Sequence, residues 1–382
     1  MRIAYVSIDP GIPVFGTKGA SVHVQEVVRE FRARGHEVEV FATRTGPEVP
    51  DDLADLVVHH VRIDKADDPA ARERAQVRAS EQVAEAITAW APDLVHERYS
   101  LFSTVLAEVV AATAARGVLE VNAPLVEEQA KHRDLVDAEA AWAALLAQVA
   151  AAHATVCVSD PVRDWVLAHT DGGRVHTVAN GVSTTRIRPA AEAPGAPVVT
   201  FVGTLKPWHG VDVLVDAAAL AEADWGLRII GDGPQRQALE EQARALGVRV
   251  DFRGAVAPAD MPGHLAGSAI GVAPYPATPD AADQYFSPLK IYEYLAAGLP
   301  VVASAVGQVP GIVTDGVTGR LVPPSDAAAL AAALDDLARD ADARARMGAA
   351  ARAAAEDQHS WAGVVERILS HAGVAPVGAR WA

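Results

Sequence analysis

The alternation of short β-branched runs with amphipathic helical stretches constrains this chain more than any other feature, because it continues along all 382 residues. Ile3–Ile8 has the composition of a strand, and the apolar residues of Val24–Phe31 recur with the spacing of one helix face. Glu37–Ala42 is the next predicted strand. Strands separated by helices predict βαβ units, so the sheets of this protein are expected to be parallel.

A break in the middle of the chain divides this pattern in two. Arg188–Pro197 is rich in proline and alanine and has no periodicity, which is typical of a flexible linker. After it, the pattern restarts with a strand at Val198–Val202 and a helix at Val211–Ala221. The sequence therefore predicts two doubly wound, Rossmann-like α/β domains, at residues 1–187 and 196–359. Two such domains facing each other would leave a cleft between the carboxyl edges of their sheets, where folds of this kind bind ligands.

Charge and cysteine content exclude several classes of protein. The 33 Lys and Arg residues against 49 Asp and Glu give a net charge of −16, which disfavours binding to nucleic acid or to an anionic bilayer. The single cysteine, Cys157, rules out an intramolecular disulfide and suits a reducing cytoplasm. The most apolar window, Ala140–Val158, is interrupted by polar residues, so it predicts a buried helix that runs into a strand and no membrane span. The start of the chain has a strand pattern and not that of a signal peptide, so a cytoplasmic location is expected.

A glycine-rich loop follows the first predicted strand. Gly11–Gly19 is similar to the phosphate loop of nucleotide hydrolases, but Thr17 and Lys18 stand in the reverse order, which disfavours that class. A glycine turn that leads into a helix capped by Ser21 still offers backbone N–H groups to an anion. A tight turn without any ligand is the alternative interpretation.

The second half of the chain opens in a similar way. Gly203, Lys206, His209 and Gly210 lie close together between a predicted strand and a predicted helix, which is the position expected of a pyrophosphate site. Lys206 and His209 would then stabilise phosphate charge. The alternative is that Lys206 is an ordinary solvated loop residue.

The segment from Phe286 to Val302 carries the most information. Ser287 and Pro288 fit a helix start, with serine as the cap and proline in the first helical position. Glu293 then falls near the middle of a short helix, where it could receive ribose hydroxyls while the start of the helix binds phosphate. A solvated glutamate on a helix face is the alternative.

No residue pattern indicates a metal site or a bound cofactor. The only Asp-x-Asp triplet, Asp340–Asp342, lies in a charged helical stretch. Histidines and carboxylates lack the spacing of metal ligands. The sequence therefore predicts neither a metal nor a cofactor.

Taken together, these segments resemble the retaining glycosyltransferases of family 4, which have the GT-B fold of two Rossmann-like domains. The resemblance implies that the C-terminal half binds a sugar nucleotide as co-substrate and that the N-terminal half binds the acceptor. It also implies that the last helix, at residues 360–382, joins the N-terminal domain. The resemblance covers essentially the whole chain and rests on Gly16–His23, Ser159-Asp160, Asn180–Val182, Gly203–Gly210, Gly231–Pro234 and Phe286–Gly298.

The resemblance also implies where this chain departs from the family. Glu293 matches the second glutamate of the family's E-x7-E motif, which holds the ribose, whereas Tyr285 stands where the first glutamate would be. Thr204 and His209 occupy the positions of the family's arginine and lysine after the second glycine loop. These departures indicate a variant site in which other cations contact the diphosphate.

Candidate site residues follow from these motifs. The catalytic candidates are Lys206 and Lys290, as the replacement cations, and His23, which is expected to contact the donor sugar or phosphate from the start of the first helix. On the acceptor side, the candidates near strand ends are Arg98, Asn122 and Glu127. The donor-binding candidates are Gly19, Gly203, Thr204, His209, Gly231, Ser287, Pro288, Leu289 and Glu293.

The expected reaction is transfer of a sugar from a nucleoside diphosphate sugar to an acceptor, with retention of anomeric configuration and without a metal ion. The expected partners are that donor and a small-molecule or soluble acceptor, with no nucleic acid and no membrane span, and a homodimer is compatible with the chain. Two alternatives stay open. One is an epimerase or hydrolase of sugar nucleotides with the same fold, and the other is a catalytically silent subunit that binds sugar nucleotides.

Overall fold

Two units, each with its own parallel sheet, make up the chain. The computed structural model describes residues 1–63, 66–279 and 284–374. Unit 1 comprises Met1–Asn180 and the segment that begins at Trp361, whereas unit 2 comprises Gly181–Ser360. The chain therefore passes from one unit to the other after Asn180 and returns after Ser360.

Unit 1 is built on a seven-stranded sheet in the order β3-β2-β1-β4-β5-β6-β7. Its central strands are buried, as expected of a parallel sheet with helices on both faces. The strands are Arg2–Ser7 (β1), Glu37–Ala42 (β2), Val58–His60 (β3), Leu94–Arg98 (β4), Arg116–Val121 (β5), Ala154–Cys157 (β6) and Val175–Thr177 (β7). The helices are Gly19–Ala33 (α1), Pro69–Trp90 (α2), Val105–Ala112 (α3), Leu125–His132 (α4), Ala138–Ala151 (α5), Asp160–His169 (α6) and Trp361–His371 (α14), which is the last helix within the described residues.

Unit 2 is built on a six-stranded sheet in the order β10-β9-β8-β11-β12-β13. The strands are Val198–Val202 (β8), Gly226–Ile230 (β9), Val250–Gly254 (β10), Ile270–Ala273 (β11), Val301–Ser304 (β12) and Gly319–Val322 (β13). The helices are Val211–Leu220 (α7), Arg236–Ala245 (α8), Met261–Leu265 (α9), Leu289–Ala296 (α10), Val309–Ile312 (α11), Ala327–Arg339 (α12) and Ala341–Gln358 (α13).

In both sheets the strand order reverses beside the first strand of the unit. Strand β1 lies between β2 and β4, and β8 lies between β9 and β11. Connections leave the sheet in opposite directions on the two sides of such a strand, which opens a crevice at the carboxyl ends. The carboxyl ends of β1 and β4, and those of β8 and β11, are therefore where each unit is expected to bind ligands.

Most of the predicted strands are present. Glu37–Ala42 and Val198–Val202 have the predicted bounds, and the strand predicted at Ile3–Ile8 lies one residue earlier, at Arg2–Ser7. Strand β13, Gly319–Val322, was not predicted. It is a short edge strand with an arginine in it, so its sequence carries only a weak apolar pattern.

The alanine-rich stretch Ala327–Ala355, whose composition indicates one continuous helix, forms two helices, α12 and α13. Asp340 separates them, and its side chain accepts a hydrogen bond from the N–H of Ala343 at 2.8 Å. An aspartate in this position caps a new helix. The abundant alanines on both sides concealed this boundary.

The stretch at Arg188–Pro197 is not a free linker. Glu192 forms a bidentate ion pair with the guanidinium of Arg344, with N···O distances of 3.0 and 2.9 Å. The N–H of Ala193 donates a hydrogen bond to the carbonyl oxygen of Gly267 at 3.0 Å. All of these residues belong to unit 2, which begins before the predicted boundary at residue 187. The prediction of a flexible linker is wrong, because a bidentate ion pair fastens a segment whose composition alone indicates flexibility.

The most apolar window of the sequence forms helix α5 and continues into strand β6, as predicted. Ala141 and Leu145 on this helix are completely buried. Among the described residues, no helix is both long enough and apolar enough to cross a membrane.

Candidate functional site

Two glycine loops approach each other closely at the switch point of unit 2. Gly203 follows β8 and Gly231 follows β9. Their φ angles are +148° and +141°, and a Cβ on Gly231 would lie 1.9 Å from the carbonyl oxygen of Gly203. Since only glycine permits this conformation and this approach, these two predicted site residues are required by the backbone itself.

Lys290, from helix α10, lies against the first of these loops. Its ammonium is 4.3 Å from the centre of the Phe201 ring and 5.0 Å from that of Tyr275, and a Cβ on Gly203 would lie 3.0 Å from it. The residue is only 7% exposed, and its Nζ has no hydrogen-bond partner among the residues that the structure describes. Burial lowers the pKa of Lys290 to about 7, although Glu293 counteracts part of this effect. A bound anion would restore the charge on this ammonium.

His209 lies near the same rings, with its centre 6.0 Å from Phe201 and 6.1 Å from Tyr275. Its Nδ1 donates to the carbonyl oxygen of Thr204 at 2.5 Å. Burial, together with the charge of Lys290, lowers the pKa of His209 to about 3, so the ring is neutral and its Nε2 is an acceptor. Without a ligand, His209 therefore brings no positive charge to this loop, and its contact with a diphosphate stays a prediction.

Lys206, the other predicted cation, lies closer to solvent. Its ammonium is 4.5 Å from the ring centre of Trp208, and that tryptophan is more than half exposed. A cation–π contact at an exposed site contributes only about 0.5–1 kcal/mol. This contact therefore does not prevent Lys206 from moving to a ligand.

Helix α10 begins one residue later than predicted. Pro288 is the N-cap and Leu289 is the first helical residue, with no side-chain cap. The hydroxyl of Ser287 lies 3.3 Å from that of Tyr292 instead of capping the helix. The predicted capping role of Ser287 is therefore wrong, because its hydroxyl is directed to another side chain. Tyr285, which replaces the first motif glutamate, lies half-buried in the segment before this helix.

Tyr294 fixes helix α10 to the sheet of unit 2. Its hydroxyl accepts a hydrogen bond from the N–H of Val202 at 2.7 Å and donates to the carbonyl oxygen of Val272 at 3.2 Å. These two residues belong to β8 and β11, the strands on either side of the switch point. The helix is therefore anchored where it carries Lys290 and the half-buried Glu293.

A cluster of polar side chains lies around Glu120, on β5 of unit 1. Oε2 of Glu120 accepts hydrogen bonds from Nε2 of His23 at 2.9 Å and from Nε2 of His96 at 3.0 Å. Oε1 accepts from Nη1 of Arg98 at 3.0 Å and from Nδ2 of Asn122 at 2.6 Å. Burial alone would raise the pKa of Glu120, but the two histidines hold it well below its usual range. Glu120 is therefore ionised, and each of its carboxylate oxygens already accepts two hydrogen bonds.

Three of the predicted site residues belong to this Glu120 cluster. Arg98 ends β4 and Asn122 follows β5, so neighbouring parallel strands deliver both to one carboxylate. His23 lies in α1, is 4% exposed, and has its Nδ1 2.7 Å from Oδ1 of Asn180. Both ring nitrogens of His23 are therefore bonded within unit 1, and its contact with a donor stays a prediction.

Glu127, the third acceptor-side candidate, lies apart from the Glu120 cluster. It accepts a hydrogen bond from Nε1 of Trp165 at 2.8 Å and lies 3.7 Å from Nε2 of His169. The His169 ring in turn stacks on Trp142, with ring centres 4.7 Å apart. The structure therefore ties Glu127 to an aromatic group on helices α4, α5 and α6 and does not bring it together with Arg98 and Asn122.

The first glycine loop is largely held by backbone hydrogen bonds. The N–H groups of Val14 and Phe15 donate to carbonyl oxygens of the segment after β2. Helix α1 begins at Gly19 with Lys18 as N-cap, so the predicted cap, Ser21, lies buried inside the helix. Of the predicted donor residues in this loop, Gly19 remains exposed at the helix start.

Sequence reasoning missed Glu120, Phe201 and Tyr275, which organise the two sites. Glu120 interrupts the buried part of β5, which is otherwise apolar from Gly117 to Val121, and a charge in a buried strand is a signal that could have identified it. Phe201 and Tyr275 fit the ordinary apolar pattern of strand ends. Only the tertiary structure shows that they enclose a lysine.

Family models match both halves of the chain. The model described as Glycosyltransferase Family 4 matches residues 17–186, and the one described as Glycosyl transferases group 1 matches residues 196–340. A curated relative, D-inositol 3-phosphate glycosyltransferase from Nocardia farcinica, is 31% identical over 96% of this chain and 88% of its own length.

Solved structures share the fold at lower sequence identity. Sucrose-phosphate synthase from Thermosynechococcus elongatus superposes with a TM-score of 0.71 at 21% identity, over 97% of both chains. HepE from Anabaena, solved in complex with UDP, has a TM-score of 0.72 at 19% identity, over 97% of this chain and 99% of its own. Since the sequence similarity extends over nearly the whole length and the two parallel-sheet units match GT-B structures, this protein belongs to glycosyltransferase family 4 and is a glycosyltransferase.

Proposed function

We propose that this glycosyltransferase takes a sugar from a nucleoside diphosphate sugar bound by unit 2 and transfers it with retention of anomeric configuration. The observation that carries this proposal is the Lys290 ammonium, which is buried beside Gly203 without a hydrogen-bond partner among the described residues. Glu293 offsets only part of the cost of burying this ammonium, and a diphosphate supplies further negative charge and hydrogen-bond acceptors. The UDP bound to HepE, a protein of the same fold, supports this donor class.

Departure of the diphosphate is the demanding step of this reaction. Negative charge grows on the leaving oxygen as its bond to the anomeric carbon breaks. Lys290 stabilises that charge where it develops, and one preorganised donor of this kind contributes about 2.7–4 kcal/mol to the transition state. Lys206 approaches the same phosphate groups from the solvent side.

The transfer to the acceptor needs no base from the protein. The acceptor oxygen bonds to the anomeric carbon on the face that the diphosphate leaves, and the acceptor proton passes to the departing phosphate oxygen. This assignment agrees with the saturation of Glu120, whose oxygens have no room for another proton donor. In unit 2, the carboxylate of Glu293 accepts hydrogen bonds from the ribose hydroxyls. Nε2 of the neutral His209 accepts a hydrogen bond from a hydroxyl of the nucleoside diphosphate sugar.

We further propose that the reaction needs no metal ion or other cofactor, since Lys290 and Lys206 supply the positive charge at the diphosphate. Within the described residues, no three His, Cys, Asp or Glu side chains are grouped as metal ligands. Turnover should therefore survive excess EDTA. Loss of turnover that magnesium or manganese restores would contradict the role given to the lysines.

Unit 1 is proposed to bind a small, soluble acceptor in the cytoplasm. The net charge of −16 opposes approach to an anionic lipid surface. Arg98 and Asn122 stand at the carboxyl ends of neighbouring strands beside the switch point, where a polar acceptor would be held.

Thermal unfolding with a panel of nucleoside diphosphates, and then of their sugars, tests the donor site. A ligand at a hundred times its dissociation constant stabilises by about 2.7 kcal/mol, so the preferred base is identified directly. Glu293→Gln should weaken nucleoside monophosphates and diphosphates alike, whereas Lys290→Ala should weaken diphosphates more. Wild-type diphosphate binding by the Lys290→Ala protein would overturn the donor assignment.

A further inference from the structure

Two arginines of this chain are buried to the same degree but are bonded very differently. Arg344 is 7% exposed and donates twice to Glu192 and to the carbonyl oxygens of Leu337 and Ala338. Arg98 is 8% exposed, and within the described part of the chain its single hydrogen bond is from Nη1 to Glu120. Because a guanidinium carries five N–H donors, Arg98 retains four that no described residue accepts.

Glu120 cannot satisfy those remaining donors. The oxygen that faces Arg98 is shared with Asn122, and the other oxygen is shared with His23 and His96. Arg98 thus forms a monodentate ion pair with Glu120, and the same carboxylate also accepts hydrogen bonds from three other side chains. The bidentate geometry that guanidinium groups prefer with oxyanions is left unused.

The position of Arg98 is that of a ligand-binding residue. It is the last residue of β4, one of the two strands that flank the switch point of unit 1. About a tenth of its side chain remains exposed, so its remaining donors can be reached from solvent. A structural arginine such as Arg344 uses four of its five donors, whereas Arg98 uses one, and this difference points to a ligand.

We infer that Arg98 binds an oxyanion on the acceptor, so the sugar is transferred to a phosphorylated or carboxylated small molecule and not to a neutral one. This inference rests on the proposed function, which assigns the acceptor to unit 1. The Glu120 cluster holds the guanidinium in place, and an incoming phosphate or carboxylate takes the two parallel N–H groups that Glu120 leaves open. Arg98 is then the residue that selects the acceptor.

Inorganic phosphate is the probe that tests this site. Phosphate that binds to Lys290 would obscure the result, so that second anion site is removed first. The Lys290→Met variant removes the anion site of unit 2, and thermal unfolding of the full chain is followed against phosphate at constant ionic strength. Phosphate should still raise the unfolding midpoint of Lys290→Met. Adding Arg98→Gln should weaken that apparent affinity about tenfold or more, as expected for charge-assisted hydrogen bonds.

Three controls make the result specific. Arg116→Gln, at the other end of the neighbouring strand, should leave phosphate binding unchanged. Arg98→Lys keeps the charge and the partner of Glu120 but loses the planar fork, so it should weaken phosphate binding even if Arg98→Gln does not fold. Acetate in place of phosphate separates the two classes of acceptor: an effect of phosphate alone identifies a phosphorylated acceptor, and an effect of acetate alone a carboxylated one.

The outcome that overturns the inference is distinct from failure of the proposed function. If Lys290→Met abolishes every effect of phosphate and acetate, or if Arg98→Lys and Arg98→Gln leave these effects unchanged in that background, Arg98 does not bind an oxyanion. Nucleoside diphosphate binding by the Arg98 variants reports separately on the donor site and should equal that of the wild type.

Discussion

The two units of this protein bury charge in opposite ways. In unit 1, four side chains donate to Glu120, and its pKa lies well below the usual range in spite of its burial. In unit 2, Lys290 is surrounded by aromatic rings, and burial lowers its pKa to about 7, toward the neutral form. The charge of Glu120 is therefore part of the folded scaffold, whereas the buried ammonium of Lys290 has no hydrogen-bond partner among the described residues.

Glu120→Gln should have the largest effect, because it removes the charge that Arg98, His23 and His96 share while keeping the shape of the side chain. Removing one partner of a buried ionic group costs about 3–5 kcal/mol. Urea denaturation should show this loss as a lower midpoint with an unchanged slope. Glu39→Gln, whose partner His59 is partly exposed, is the matched control and should cost less than about 1 kcal/mol. Equal losses in the two variants would show that the Glu120 cluster is not a scaffold.

Lys290→Met should lower activity and raise stability, whereas Glu120→Gln should lower stability. If Lys290 has the proposed role, turnover should fall about 10²–10³-fold, because the hydrogen-bond donor to the leaving diphosphate is removed. The free energy of unfolding should rise by about 1–3 kcal/mol, since a buried group without a partner is removed. Lys206→Met, at the exposed contact with Trp208, should change stability by less than about 0.5 kcal/mol. Destabilisation by Lys290→Met would mean that Lys290 is not the unsatisfied charge described above.

The stability gained by Lys290→Met should also depend on pH. The folded protein releases the Lys290 proton near pH 7, whereas the unfolded chain retains it up to the ordinary lysine pKa of 10.5. Wild-type stability therefore rises with pH in this window relative to the variant. The gain should be largest below pH 7 and should disappear as the pH approaches 10.5.

Diphosphate binding should be coupled to protonation in the same way. Above pH 7, free Lys290 has lost its proton and has to regain it when the anion binds, so affinity should fall about tenfold for each pH unit. Calorimetry at pH 8 in buffers of different ionisation enthalpy should detect the uptake of a proton. Lys290→Met should bind the diphosphate weakly and with no such uptake. A wild-type affinity that does not change above pH 7 would place the diphosphate elsewhere.

Asn122→Ala should have the smallest effect of the series. It removes one of the four donors to Glu120 and leaves those from Arg98, His23 and His96. A single hydrogen bond contributes about 0.5–1.5 kcal/mol, which urea denaturation resolves. A loss as large as that of Glu120→Gln would mean that Asn122, and not the ionic partners, holds the cluster together.

Much of the fold was predictable from the order of residues. Strand and helix periods extend over only a few residues, so Glu37–Ala42 and Val198–Val202 are recognisable in isolation. The same holds for Gly203, since a glycine directly after a buried strand indicates a backbone turn. The boundary of unit 2 was less accessible, because Arg188–Pro197 is held by Arg344, a partner far along the chain.

The order of residues was enough to predict two parallel α/β units and, through the family resemblance, the segments around Gly203 and Lys290. The state of the buried charged groups was not predictable in this way, because it depends on tertiary contacts. Glu120 meets His23 and Arg98 across strands and helices, and Phe201 and Tyr275 enclose Lys290 from two different strand ends. Periodicity is a local property of the chain, whereas burial and hydrogen-bond partners depend on residues brought together from distant positions. Protonation, and with it the chemistry of each site, follows from those distant neighbours.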